Sequence, residues 1–580
     1  MNLRRLEPVD TIYPLAFTNS QPSPQDSTAA YLRDPAARLL LDFFTAKGLA
    51  RLKEEDRREE WYDDWLAYQA EHGLYAAMLS PQQYSARGAT FDLLRYARFL
   101  ELFAWCSPAH GYSLQVTFLG LFSILGGTNE ALRQEAVKSL EAGGLLAFAV
   151  SEKAHGSDLL ANEFVMTETD DGSLIANGTK YYIGNANAAS LIAILGRKTR
   201  AAGSERPGRD PFLLMALRPG AAPGFRDVTK IHTLGVRAAY VGAFAVKDHA
   251  LPESDTIAEG RDAWDAVFRT VTLGKFFLGF GSIGICEHAF HEARTHLSTR
   301  ILYGKPVIEM PHIRLAMAEA FARLTAMKLF AYRALDYVHG ASHDDRRYLL
   351  FCAVQKAKVS TEAVKVLAIL SECIGARGFE GDTFFEMALR DVQLIPGLEG
   401  SVHINLRLAS QFLPRYFDRP DRTLTSPPSL VSDPTVSHEN PYLYEARSGS
   451  PRSIPFRPFL DAYHALAAIP NVTLFARQAA AFRRFTRSIS ALELSEIDVP
   501  LGHSLATIAY AQLIAEHATT LSLPPEITSL IFGLLVIDLS SSALRLAAIP
   551  QFEHVNRALI TAMIKAPRTR PADWAFIPLQ

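Results

Sequence analysis

The segment FAVSEKAHGSD, residues 148–158, stands where the chain changes character. Before it, from 30 to 144, apolar residues recur at helical spacing. FDLLRYARFLELFAW, residues 91–105, sets them three and four apart and so builds one buried face. NEALRQEAVKSLEAG then runs into Gly143-Gly144, a helix stop. From 145 to 258 the chain breaks into short β-rich runs separated by Gly, Pro, Asn and Asp: LLAFAVSE, SLIANGTKYYIGNA, SLIAILGR, FLLMALRP and AYVGAFAVKDHALP. That pattern predicts an antiparallel sheet, with Asn177-Gly178 as a tight-turn dipeptide. The opening segment is therefore a strand that runs out into a loop. Ser151 and Ser157 offer hydroxyls and Gly156 a turn, an edge that can hydrogen-bond a planar heterocycle. On spacing alone the same residues also fit a loop with a serine N-cap.

Outward from this β region, residues 259–418 return to helical periodicity, as in HIRLAMAEAFARLTAMKLFAYRALDYV, residues 312–338. Residues 419–452 are rich in proline and serine (RPDRTLTSPPSLVSDPTVSHENP) and read as a linker. Residues 453–580 are helical again, with FLDAYHALAAI and LFARQAAAFRRFTRSI. The expected fold is mostly α with a central antiparallel β domain and a C-terminal helical extension.

With 580 residues and 48% apolar composition, the chain has enough core for several domains. A net charge of -2 argues against a phosphate-tracking surface, so nucleic acid is not the expected partner. Four cysteines, Cys106, Cys286, Cys352 and Cys373, lie far apart, which fits neither a zinc site nor a disulfide framework and suits a reducing cytoplasm. The N-terminal MNLRRLEPVDTIYPL has no apolar run of the kind a secretory signal needs. The apolar stretch from Ile527 to Val536 stops at Asp538 and is too short to span a bilayer, so no transmembrane span is expected.

Three further segments carry chemistry. ANGTKYYIGNA, residues 176–186, is a hairpin strand in which Tyr182 can pack on a flat ring or simply fill a sheet core. In STRILYGKPV, residues 298–307, a helix breaks at Gly304 and Pro306, and Arg300 is either a phosphate partner or a solvated helix-end charge. The stretch from Glu372 to Leu406, ECIGARGFEGDTFFEMALRDVQLIPGLEGSVHINL, has Gly375, Gly378 and Gly381, where a backbone can approach a ligand closely. Glu399 sits there between Gly397-Leu398 and Gly400-Ser401. A carboxylate on such a short apolar connection can be desolvated into a general base, although an exposed loop glutamate has the same spacing.

Together and in this order, these segments resemble the acyl-CoA dehydrogenase family over residues 35–417. Phe148 to Asp158 is similar to the family's T-E-x-x-x-G-S-D, with Ser151 for the threonine, and Ala176 to Asn185 to N-G-x-K-x-[W/Y]-I-T-N. KIHTLGVRAAYVGAFAVKDHALP resembles the segment that closes the family's middle domain. TRILYGKP resembles R-x-x-F-G-K-P, and RDVQLIPGLEGS resembles R-D-A followed by Y-E-G-T. The resemblance implies a helical domain, a β domain and a helical bundle binding FAD. It implies that Glu399 removes the pro-R α-proton of an acyl thioester while the β-hydride passes to flavin N5. The enolate-like oxygen would be held by the flavin ribose hydroxyl and the Glu399 N–H. Phe148, Val150, Ser151, Tyr182, Ile183 and Gly184 would flank the isoalloxazine. Arg300 (reaching a neighbouring subunit's cofactor), Tyr303, Glu372, Gly375, Ala376, Ser401 and His403 would hold the ADP half. Ser157 would serve both cofactor and substrate, and Lys275 and Gly400 the substrate. No metal is implied. The implied partners are an acyl-CoA or acyl carrier protein thioester, an electron-transfer flavoprotein or similar acceptor, and a second copy, because longer family members with an extra helical domain are dimers. The setting would be cytoplasmic fatty acid metabolism.

Several positions depart from the family. Gly184 stands for a threonine that bonds flavin N5, Glu372 and Pro311 for cofactor-facing glutamines, Lys275 for an arginine, and Ser85-Ala86 for a Gly-Gly turn. These departures leave room for a carrier-protein thioester. Two rivals follow. One is an oxidase or flavin monooxygenase on the same fold, with Gly184 opening a path for oxygen. The other is a non-catalytic nucleic-acid-binding relative, for which Arg477, Arg483, Arg484 and Arg487 on one helix are the hint.

Overall fold

The computed structural model describes residues 34–169, 173–200, 212–221, 223–432, 439–445, 453–489, 496–550, 552 and 554–568. The N-terminal stretch examined for a signal lies outside them, as do parts of the proline-rich segment. The chain divides into two compact units. Among the described residues, the first comprises those within 39–281 together with 439–445, the second those within 282–432 and 453–568 together with 34–38.

In the first unit, helices precede a sheet. Helix Leu93–Cys106 starts at Asp92, whose carboxylate accepts the Arg95 N–H at 2.8 Å, a side-chain N-cap. The next helix, Pro108–Leu125, begins with proline at its first turn and is buried along almost its whole length. It lies against strand β1 (Leu145–Ala149) so closely that a Cβ on Gly120 would stand 2.8 Å from the Ala147 nitrogen. Helix Glu130–Glu141 ends before Gly143, whose φ of 88° turns the chain toward β1, as the glycine pair predicts.

The sheet also contains β2 (Val165–Glu168), β3 (Leu174–Gly184), β4 (Ala189–Arg200), β5 (Phe212–Leu217), β6 (Phe225–Lys230), β7 (Val241–Leu251) and β8 (Thr256–Glu259). Their order is β6-β7-β3-β2-β4-β5-β8, with β1 beside β4. It is mixed rather than purely antiparallel, because β4 pairs in parallel with both β1 and β2. The two pairings follow each other along one side of β4: Leu145 to Ala149 face Ala189 to Ile194, and Val165 to Glu168 face Arg197 to Arg200. One strand line is thus interrupted, and residues 150–164 leave the sheet and rejoin it three β4 positions later, at Arg197 after Ile194. Its core gathers Ala147, Phe164, Ile183, Ile192, Met215 and Phe244, with Val116 reaching in from helix Pro108–Leu125.

The second unit is helical. Helix Pro311–His339 is buried from Met317 to Val338 except at Glu319, and packs on Ser360–Ile374 and on the C-terminal helices Asp498–Thr520 and Pro525–Ala547. The extension is joined to the bundle by buried charge. Arg323 bonds Glu362 at 2.7 Å, and Lys358 meets Asp538 at 2.8 Å and Glu362 at 3.1 Å. Burial alone would raise both carboxyls, yet Lys358 and Arg323 hold Glu362 and Asp538 below the ordinary carboxylate range. Leu430, from the proline-rich segment, is buried with its N–H on Asp336 at 2.9 Å. Two described helices, Gly260–Thr299 and Pro525–Ala547, are long and apolar enough to cross a membrane, and 78% of each apolar window is buried.

Candidate active site

In the first unit the site begins at the interrupted strand line. Phe148 is buried at the end of β1, and Val150 and Ser151 follow as the chain leaves the sheet. Ser151 is tied to β3 twice: its carbonyl accepts the Tyr181 N–H at 3.1 Å, and its hydroxyl donates to the Tyr181 carbonyl at 2.7 Å. Phe148, Val150, Ser151 and the end of β3 are therefore brought together. Ser157 is exposed farther along the loop, beyond Gly156, whose missing side chain would meet no atom within 4 Å. Lys275 is buried on helix Gly260–Thr299.

What holds this loop was not read from the sequence. Lys180 faces the core on β3, in the same alternation as Leu174 and Ala176. Its ammonium donates to the Val150 carbonyl at 3.2 Å and to Glu152 at 3.0 Å. Glu152 also accepts the Glu163 N–H at 2.8 Å and the Phe164 N–H at 2.9 Å, so it closes the loop at both ends. Burial pulls Lys180 down to about 8, against the opposing pull of Glu152. The signal was available: a lysine in the apolar phase of a strand requires a partner. Glu152, His155 and Glu163 bring three potential metal-ligating atoms within 4.8 Å of one another. Glu152 is already engaged by Lys180 and two amides.

At the end of β3 the pairing with β7 shifts between Tyr181 and Ile183. Tyr182 there adopts a φ of 64° and is 59% exposed. This is a bulge that turns an aromatic face outward, whereas Ile183 is buried. Gly184 does not open a path: a Cβ there would lie 2.4 Å from Val116 Cγ2, 2.9 Å from Tyr112 Cε1 and 3.1 Å from the Tyr112 hydroxyl. Side chains of helix Pro108–Leu125 already occupy the space a threonine would need. Asn185, buried with a φ of 57°, donates to the Ser113 carbonyl at 3.0 Å and to Thr117 and the Leu146 carbonyl at 3.2 Å.

In the second unit Arg300 follows the helix end at Thr299, exposed, and opens the two-stranded hairpin Ile301–Leu302 and Lys305–Pro306. Tyr303 and Gly304 form its turn with φ of 52° and 79°, and Tyr303 is 96% exposed. Glu372 lies in the last turn of helix Ser360–Ile374. Gly375, with φ of 62° and open space where a Cβ would go, and the exposed Ala376 begin the next turn. His296 lies within electrostatic reach of both segments. Burial lowers it first, and the charges of Arg300 and Arg377 add to that effect. Pro311 occupies the first turn of its helix, where a proline costs no hydrogen bond.

Glu399 is half-buried, with a φ of 51°, and Gly400 follows with 86°. Two consecutive left-handed residues reverse the chain into helix Val402–Ser410. Ser401 caps that helix by accepting the Ile404 N–H at 3.5 Å, and His403 is exposed in its first turn. A left-handed glutamate is strained, and such strain persists only where the surroundings impose it.

Comparison with known proteins gives consistent matches. Residues 147–249 match the family model of the acyl-CoA dehydrogenase middle domain, and residues 262–413 that of its C-terminal domain. An acyl-CoA dehydrogenase of Bacillus subtilis is 24% identical over 373 residues, 64% of this chain and 95% of that protein. Among solved structures, the FAD complex of an acyl-CoA dehydrogenase from Bacillus anthracis matches with a TM-score of 0.71 at 16% identity, over 95% of this chain and 93% of the other. The prolyl acyl carrier protein oxidase AnaB matches with a TM-score of 0.57 at 19% identity, over 67% of this chain and 99% of the other.

Proposed function

Because the chain belongs to the acyl-CoA dehydrogenase family over residues 147–249 and 262–413, we propose that it dehydrogenates an acyl thioester at the α,β bond, with Glu399 as base and FAD as cofactor. The observation that carries the proposal is the half-buried, left-handed Glu399 just ahead of a capped helix, inside the matched C-terminal domain. A strained turn fixes the direction in which the Glu399 side chain leaves the backbone, which helps to place a base for proton abstraction.

Within each unit, taken by itself, the residues named have the chemistry the cofactor requires. Tyr182 presents an aromatic face beside the Ser151 edge, Gly156 and Gly375 leave their Cβ space open, and Arg300 offers an exposed guanidinium. Phe148, Val150, Ser151, Tyr182, Ile183 and Gly184 would hold the ring. Arg300, Tyr303, Gly375, Ala376, Ser401 and His403 would hold the ADP half, with Glu372 an acidic neighbour. FAD, when bound, supplies the acceptor for the β-hydride. Glu399 would take the α-proton, and its own N–H would face the thioester oxygen as charge builds there. Ser157, Lys275 and Gly400 would contact the thioester, either acyl-CoA or acyl carrier protein. An electron-transfer flavoprotein or similar acceptor, a homodimer and a cytoplasmic setting complete the proposal on the strength of the family resemblance. Gly184 gives no support to oxygen access, since Val116 and Tyr112 fill the space beside it.

An anaerobic titration with CoA-linked and carrier-linked acyl thioesters, following the flavin absorption band, tests the function. Bleaching by one class, lost in Glu399→Gln, is the expected result. A bound flavin that no thioester reduces would overturn the proposal.

A further inference from the structure

Helices Tyr348–Val354 and Ser360–Ile374 form one rod, interrupted by a π-helical turn at Gln355–Val359. A π turn is a poor way to build a helix, and such insertions gather at functional sites. Here it buries Gln355, Lys356 and Lys358 and packs on helix Val402–Ser410. The ammonium of Lys356 donates to the Ile395 carbonyl. The same carbonyl accepts the Leu398 N–H at 3.1 Å, the bond that closes the turn immediately before Glu399. On the other side, the buried Asn405 donates its amide to the Gly400 carbonyl and to the Ser401 carbonyl, each at 3.0 Å.

Glu399 is thus bracketed, with a buried ammonium on the turn that leads in and a buried amide on the two carbonyls that lead out. Its φ of 51° is a conformation that a free glutamate leaves readily, whereas glycine tolerates the 86° of Gly400. Helix Val402–Ser410 is itself pinned from the extension: at Gly502 a Cβ would stand 2.0 Å from the Leu406 carbonyl oxygen, so the two helices touch backbone to backbone. We propose that Lys356 and Asn405 are positioning residues that hold Glu399 in its reactive orientation, and that the π turn exists to bring Lys356 to Ile395. The inference rests on the reading of Glu399 as the base. Neither residue touches substrate in this account; both act through the backbone of the turn.

The test uses the full-length flavoprotein and two variants, Lys356→Met, close in shape but without a donor, and Asn405→Leu. Two quantities are measured: the limiting rate of anaerobic flavin reduction against a concentration series of butyryl-, octanoyl- and palmitoyl-CoA, and amide hydrogen exchange at residues 398–401. Loss of positioning lowers the limiting rate by about ten- to a hundred-fold. FAD content and the half-saturating thioester concentration stay within about twofold of wild type. Exchange at 398–401 accelerates by about tenfold. A defect confined to general stability would instead lower FAD content or raise exchange throughout the second unit, and that result overturns the proposal. So does a limiting rate within about twofold of wild type in both variants. If Lys356→Met does not fold, Asn405→Leu alone decides. If none of these CoA thioesters and no carrier-linked acyl thioester reduces the wild-type flavin, the dehydrogenase reading falls, and the exchange rates alone decide whether these residues hold the turn.

Discussion

Gly184→Ala adds one methyl group where helix Pro108–Leu125 meets the end of β3. The new Cβ would lie 2.4 Å from Val116 Cγ2 and 2.9 Å from Tyr112 Cε1. Carbon atoms rest at about 3.5–4.0 Å, so Val116 must retreat by roughly 1 Å. Val116 is buried in the sheet core, and Tyr112 packs against that core as well, so neither moves freely. Overpacking of this kind costs about 1–3 kcal/mol. For a unit of this size, 2 kcal/mol lowers Tm by about 4–8 °C. Differential scanning calorimetry of wild type, Gly184→Ala, Val116→Ala and the double variant measures it. Truncating Val116 removes the methyl that clashes, so the double variant should be more stable than the sum of the single effects by about 1 kcal/mol or more. An additive cycle, or a Gly184→Ala protein within about 0.5 kcal/mol of wild type, would refute the packing account. The same geometry predicts that grafting the family's threonine at 184 does not restore its hydroxyl contact unless Val116 is cut back first.

Asn185→Ala removes the donor for the Ser113 and Leu146 carbonyls and for Thr117, and leaves an alanine at a φ of 57°. A loss of about 2–4 kcal/mol is expected in urea unfolding, as a shifted midpoint at unchanged slope, and a loss under about 1 kcal/mol would contradict it. Acid should destabilise the second unit through its buried histidines, while Asp336, raised to about 6 by burial, takes up a proton on folding in the same window and offsets part of the loss. Burial holds both His503 and His517 down at about 4, so between pH 6.5 and 4 the unfolded chain binds protons that the folded chain refuses. Stability is complete above 6.5 and falls as pH drops through this window, by roughly 3 kcal/mol for each histidine. Thermal melts against pH should show the slope, and His517→Leu should flatten it. A melt independent of pH between 6.5 and 4.5 would count against buried neutral histidines.

Much of the fold was legible in the chain. The change from helical to β periodicity at Leu145, the stop at Gly143-Gly144 and the return to helix after residue 258 all depend on local spacing and on turn residues. The parallel pairing of β4 with β1 and β2 was not legible, because strand alternation reports which face is buried and says nothing about direction. The candidate residues were found through short motifs whose chemistry is local: hydroxyls at a loop edge, an arginine at a helix end, and a glutamate between glycines.

What the sequence alone determined, then, is the order of elements and the residue types offered for chemistry, since both are written in neighbours a few positions apart. Tertiary structure decided what holds those residues in place. Lys180 and Glu152, 28 positions apart, close the loop that carries Ser151. Lys356 and Ile395, 39 apart, fix the turn before Glu399. Val116 disfavours any side chain at 184, across 68 positions of intervening chain. A buried polar group or a tight packing contact is settled only when distant segments meet, because its free energy depends on whether a partner or a clash is waiting there.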